Sequence, residues 1–205
     1  MPDWKTVSPR AQRKGALMSM KFSEWRTVDL IVASVLGVAS GVIFVAWNAA
    51  YAPLSVALAG FTPGLVGSLG GVWLTGGLLV ALVVRRPGAA VLGEVIAASV
   101  SAIIGNQWGF TVLILGIAQG LAMELGFRLM DRARSDFAIV AVAGAFGGLA
   151  QGTLEYFYWW PGTGAPFAAV FIATATASGA ILGAGLTVLL VRSLAKTGIL
   201  ATFGR

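Results

Sequence analysis

The chain contains no cysteine and no histidine. That removes disulfides, thiolate and imidazole metal ligands, and every nucleophilic triad that depends on a histidine base. Charge is scarce as well: 11% of the 205 residues are Asp, Glu, Lys or Arg, against about 25% in a soluble domain. No glycine-rich loop runs into a lysine as a phosphate cradle requires, so nucleotide hydrolysis by this chain is not expected. What is present is apolar: 58% of residues are hydrophobic and the mean hydropathy is +0.87. The composition is that of an all-α integral membrane protein. A net charge of +6 would by itself suit nucleic acid. The basic residues, however, lie in short clusters between apolar runs, so the expected surroundings are a lipid bilayer and not a nucleic acid.

Residues 1–28 are polar and basic, with Lys5, Arg10, Arg13, Lys14, Lys21 and Arg26. The apolar run that follows is longer than the roughly 7–15 residues of a signal peptide. The stretch therefore reads as an uncleaved cytoplasmic tail that can lie on the anionic inner leaflet. The transmembrane domain is expected over 29–192, with spans near 29–50, 65–84, 89–104, 110–130, 137–157 and 167–191, and a second cytoplasmic tail over 193–205. Residues 51–64 are interrupted by Pro53, Gly60 and Pro63. They are too broken for a span of about 20 residues and read as a loop folded over the outer mouth. With both termini in the cytoplasm, all fourteen Lys and Arg fall in inner segments or the adjacent helix ends. The outer loops at 51–64, 105–109 and 158–166 carry none, as the positive-inside rule requires.

Three acids fall within spans: Glu94, Glu124 and Glu155. Glu124 precedes Arg128 by four residues, the favourable order for a helical ion pair, and reads as structural. Glu94 has no basic residue one turn away; it lies roughly 15–18 Å below the outer end of its helix, at the floor of any outward-facing pocket. Gln151 and Glu155 share a helix face, within Gln151-Gly-Thr-Leu-Glu155-Tyr-Phe-Tyr-Trp-Trp160-Pro. Five aromatics in a row allow two readings. They form a belt at the headgroup level, or they wall a site where an acid and amides, including Gln119, meet a flat, cationic, hydrogen-bonding molecule. Small-residue stripes, Ala33-x-x-x-Gly37-x-x-x-Gly41 and Gly144-x-x-x-Gly148-x-x-x-Gly152, allow close helix approach, inside the protein or to a partner.

Several stretches carry a family resemblance: Arg26-Thr-Val-Asp29-Leu with the small residues after it, Gly93-Glu94-Val, Gly105-Asn106-Gln107-Trp108-Gly109, Gly116-Ile-Ala-Gln119-Gly120 and Gln151-Gly-Thr-Leu-Glu155. Together with six spans in about 200 residues, they resemble the substrate-binding S component of energy-coupling factor (ECF) vitamin transporters, of the YkoE type linked to thiamin or its hydroxymethylpyrimidine precursor. The resemblance implies a six-helix S-component bundle with a vitamin pocket beneath the outer loops and no cofactor. It also implies a transmembrane coupling protein and ABC ATPase subunits as partners, so that any ATPase activity resides in them and this chain is no enzyme. Ala33, Gly37 and Gly41 would then receive the partner's coupling helices. The candidate ligand residues are Glu155, Glu94, Gln151, Gln119, Trp47, Asn48, Tyr51, Asn106, Trp108, Tyr158 and Trp159. A carboxylate offsets a thiazolium cation and aromatic faces attract it, while acids and amides bond an aminopyrimidine edge. The alternative is a self-contained proton-coupled carrier of a small cationic or heterocyclic solute, using Glu94 or Glu124. An inverted repeat would favour it, and no convincing one is present. An intramembrane enzyme would need paired carboxylates at one depth. A purely structural subunit leaves Glu94 and Glu155 unexplained.

Overall fold

The structure is a computed structural model that describes residues 25–130 and 137–198. The tail over 1–24, residues 131–136 and residues 199–205 lie outside the described residues. Six helices build the described part: α1 (Thr27–Ala59), α2 (Leu65–Val84), α3 (Ala89–Ile104), α4 (Thr111–Leu129), α5 (Phe137–Trp159) and α6 (Ala165–Lys196). All but α3 are long and apolar enough to cross a bilayer. At 16 residues, α3 is about 24 Å long, short of a hydrocarbon core of about 30 Å. It survives because it is packed among α1, α2 and α4 instead of facing lipid.

The ends of the helices that carry the described Lys and Arg gather at one face. There the carboxylate of Asp29, buried in the first turn of α1, receives Arg26 at 3.1 Å and Arg86 at 3.0 Å. The indole of Trp25 donates to Pro87 O at 3.2 Å. These bonds tie the start of α1 to the turn between α2 and α3, where Arg85 takes a left-handed φ of 56° to reverse the chain.

The helix α1 departs from expectation at its outer end. It does not stop for a loop at residue 51 but continues through Pro53 to Ala59. Proline removes one backbone hydrogen bond, yet Tyr51, Ser55 and Leu58 share a half-buried face at i, i+4 and i+7. Tyr51 and Leu58 pack on Val66, Leu69 and Phe171. That burial outweighs one lost bond, and the loop shrinks to residues 60–64.

The two halves of α2 are wound differently. Leu65–Leu74 is a 3₁₀ helix and Thr75–Val84 an α-helix. Ten residues of 3₁₀ helix are unusual, and α6 is what holds them. A Cβ on Gly64 would lie 2.8 Å from Phe167 O, and Cβ atoms on Gly67 and Gly71 would run into the backbone at Phe171 and Ser178. Across this contact the Ser178 hydroxyl accepts from Gly71 N at 2.9 Å and donates to Ser68 O. It stands inside the i to i+3 ladder where the chain's own bond would be. Ser178→Ala is therefore expected to lower stability by about 1–3 kcal/mol, the cost of leaving buried backbone groups short of a partner. Thermal unfolding in detergent measures it, and an unchanged midpoint would show that the ladder closes by itself.

The glycine stripes are both spent inside the molecule. Gly144, Gly148 and Gly152 meet the backbone of α6 at Gly179, Ala175 and Ile172. The stripe on α1 corrects an expectation. Ala33, Gly37 and Gly41 do not form a surface open to coupling helices: Ala33 is fully buried, and a Cβ on Gly37 would lie 2.9 Å from Ile96 of α3. The outward face of α1 carries larger residues, among them Ile31, Val35, Val38 and Val42.

Candidate functional site

The 3₁₀-to-α junction of α2 sits beside the deepest acid. The side chain of Glu94, 1% exposed, reaches from α3 and accepts Gly77 N at 2.7 Å. Gly77 lies in the first turn of the α-wound half, just past the change of winding. Gly76 and Gly77 make room: a Cβ on either would stand 3.2 Å from the same carboxylate oxygen. Glu124 serves α3 in the same way, accepting Ala90 N at 2.9 Å. Arg128, the partner expected from the sequence, is exposed.

Above Glu94 is a small cavity of about 40 Å³. Its polar lining consists of Glu94 and Ser101 from α3, Asn48 from α1, Gln119 from α4 and Glu155 from α5; its walls include Phe44, Trp73, Ala98, Trp108 and Trp159. Gln119 is 4% exposed, and its side chain has no hydrogen bond among the described residues. Glu155 accepts the side-chain amide of Gln151 at 2.9 Å. Since Glu94 lies ten residues from the outer end of α3 and Glu155 four from that of α5, the two acids differ in depth by about 9 Å. They bracket the cavity from floor and side.

The outer side is closed by rings. Trp73 stands edge-on to Trp108 with centroids 5.2 Å apart, and Tyr51 lies 5.1 Å from Trp73 and 5.2 Å from Trp108. Trp47 and Trp159 flank the group at 6.5 and 6.1 Å. Trp108 rides on the turn between α3 and α4, where its N–H is held by Asn106 Oδ1 at 2.8 Å. Outside the rings a wider hollow of about 420 Å³ opens, lined by Tyr51, Trp108, Trp160 and Phe167 among others. An inner polar chamber and an outer apolar hollow thus share Trp108.

The candidates read from sequence sort themselves against this geometry. Glu94, Glu155, Gln119, Asn48, Trp108 and Trp159 line the chamber. Trp47 and Tyr51 belong to its ring cluster, and Gln151 stands behind Glu155. Asn106 holds the turn and does not line the chamber, and Tyr158 is 45% exposed, turned away from it. Trp73, Phe44 and Ser101 were not expected. Trp73 had a usable signal: it is the sole aromatic in 65–84, and an indole N–H at mid-membrane needs an acceptor. Asn48 supplies it at 2.9 Å.

A bundle of six apolar helices encloses a chamber of acids, amides and indoles, an architecture that spans a membrane. The fold is that of an ECF S component: it matches a structure titled as a crystal structure of an S-component of an ECF transporter, with a TM-score of 0.76, 27% identity, and coverage of 86% of this chain and 89% of that one. The chain belongs to the family described as ABC-type cobalt transport system, permease component, whose profile matches residues 28–150. A relative in Bacillus subtilis (strain 168), the putative HMP/thiamine permease protein YkoE, is 28% identical over 178 residues, covering 86% of this chain and 87% of that protein. The protein is thus a multi-pass membrane transport subunit of the ECF S-component type.

Proposed function

We propose that the chain captures thiamin or its hydroxymethylpyrimidine precursor from outside and delivers it through an ATP-driven partner complex. The observation that carries this reading is the chamber itself, in which acids at two depths and an amide face one another between indole walls. The name of the Bacillus relative supports the choice of ligand. In this reading the aminopyrimidine edge, common to both ligands, lies toward Glu94 and Gln119. The thiazolium of thiamin lies outward, near Glu155, Trp108 and Trp159. The described Lys and Arg cluster at the opposite end from the chamber, and in this reading the positive-inside rule supports a cytoplasmic orientation for that end. A chamber of about 40 Å³ holds one or two waters, so in this reading the chamber widens when ligand enters. The ATPase and coupling protein are separate chains in this scheme.

The test is calorimetric titration of the purified chain, without a proton gradient, using both ligands. Micromolar or tighter binding is expected, and its absence would favour a gradient-driven carrier. Glu155→Gln keeps the bond to Gln151 and removes the charge. It is expected to weaken thiamin about tenfold, the low end for losing a contact with a charged group, while leaving hydroxymethylpyrimidine nearly unchanged. Equal losses for both ligands would remove the cation assignment.

A further inference from the structure

We infer that Ser101 is a specificity-determining hydrogen-bond donor to the ligand, its polarity set by a relay that runs from Trp73 through Asn48; this rests on the vitamin-binding reading above. The argument begins with the indole, which can only donate. Trp73 Nε1 lies 2.9 Å from Asn48 Oδ1, and that contact dictates which end of the amide is its oxygen. The amide nitrogen, itself only a donor, then lies 3.0 Å from Ser101 Oγ. Ser101 is thereby an acceptor toward Asn48, and its own proton must go elsewhere.

The ordinary outlet for a helical hydroxyl is the carbonyl one turn back. Ser99, Thr153 and Thr176 all use it, at 2.7, 2.7 and 2.8 Å. Among the described residues Ser101 makes no such bond; its one hydrogen-bond partner is Asn48. It is 5% exposed and lines the chamber, so its proton is directed there.

Glu94, Ala98 and Ser101 occupy one face of α3 at i, i+4 and i+7. An acceptor and a donor are thus set about 10 Å apart along the helix axis, with only the methyl group of Ala98 between them. The arrangement selects a flat ring with a donor at one edge and a lone pair at another. An aminopyrimidine meets this with its exocyclic amine toward Glu94 and a ring nitrogen toward Ser101. Asn48 is a positioning residue in this scheme, since its oxygen is engaged by Trp73 and its nitrogen by Ser101.

The probes are hydroxymethylpyrimidine and two analogues, each with one ring nitrogen replaced by C–H, titrated calorimetrically into the purified full-length chain. Wild type is expected to bind one analogue about tenfold more weakly than the parent, the worth of one buried hydrogen bond. In Ser101→Ala that ratio should fall to about one. Asn48→Asp should abolish it too with Ser101 still in place, because the new carboxylate accepts the Ser101 proton. Discrimination that persists in Ser101→Ala, or is missing from a wild type that binds hydroxymethylpyrimidine, overturns the donor role. Persistence in Asn48→Asp overturns the relay. A wild type that binds neither thiamin nor hydroxymethylpyrimidine overturns the vitamin-binding reading itself, and is told apart by that first titration.

Discussion

Glu94→Gln should weaken thiamin and hydroxymethylpyrimidine alike, by roughly ten- to hundredfold, because hydrogen bonds to a charged group are worth about 1.5–3 kcal/mol. The variant is chosen to spare the fold. The amide oxygen of glutamine can still accept Gly77 N, the bond that Glu94 makes at 2.7 Å, so the first turn of the α-wound half keeps its partner. What changes is the other end of the side chain. An acceptor toward the ligand becomes a donor, and an aminopyrimidine amine then meets N–H instead of oxygen. Both ligands carry that amine, so both should suffer, in contrast with the selective loss in Glu155→Gln. Calorimetry on wild type and variant, with the melting midpoint as a control for folding, decides it. Undiminished binding of both ligands would take Glu94 out of the site and leave it as a cap for α2.

Gly41→Leu should cost the fold, and with it binding and uptake together. The first added carbon alone would stand 2.5 Å from Val100 Cβ and 2.8 Å from Ala97 O. Leucine adds three more carbons in a place where a backbone carbonyl cannot yield. Overpacking of this kind costs about 1–3 kcal/mol even where a core can adjust. Here adjustment means displacing α3, the helix that carries Glu94 and Ser101. The expected result is little monodisperse protein on size exclusion, and no vitamin binding by what remains. A folded, ligand-binding variant that failed only in uptake would return the α1 stripe to the partner surface.

The spans themselves were legible because apolar runs and punctuation agree. Arg85-Arg86-Pro87-Gly88 and Gly105-Asn106 mark the ends of α3 without ambiguity, and the two isolated acids pointed into the chamber. What could not be read was direction. Small-residue stripes look alike in sequence whether they meet α3, α6 or another protein, because close approach needs the same residues in every case. Pro53 read as a terminator because its cost is local, while the burial of Tyr51 and Leu58 that overrides it comes from α2 and α6. Ser101 was invisible for a related reason. A serine in an apolar helix ordinarily bonds its own backbone, and only Asn48, 53 residues away in sequence, makes it do otherwise.

The winding of α2 decides on which side of the helix Trp73 emerges. A 3₁₀ helix turns about 120° per residue and an α-helix about 100°. Gly64 is anchored against Phe167 and Phe171 at the outer end, and Trp73 follows nine residues later. Over those nine steps the two windings diverge by about 180°. With the same anchor, an α-wound outer half would turn the indole to the far side of the helix, away from Asn48 and the chamber. The hydroxyl of Ser178, set into the ladder from α6 at Ser68 and Gly71, therefore acts as a phase setting for the Trp73 side chain two residues further on.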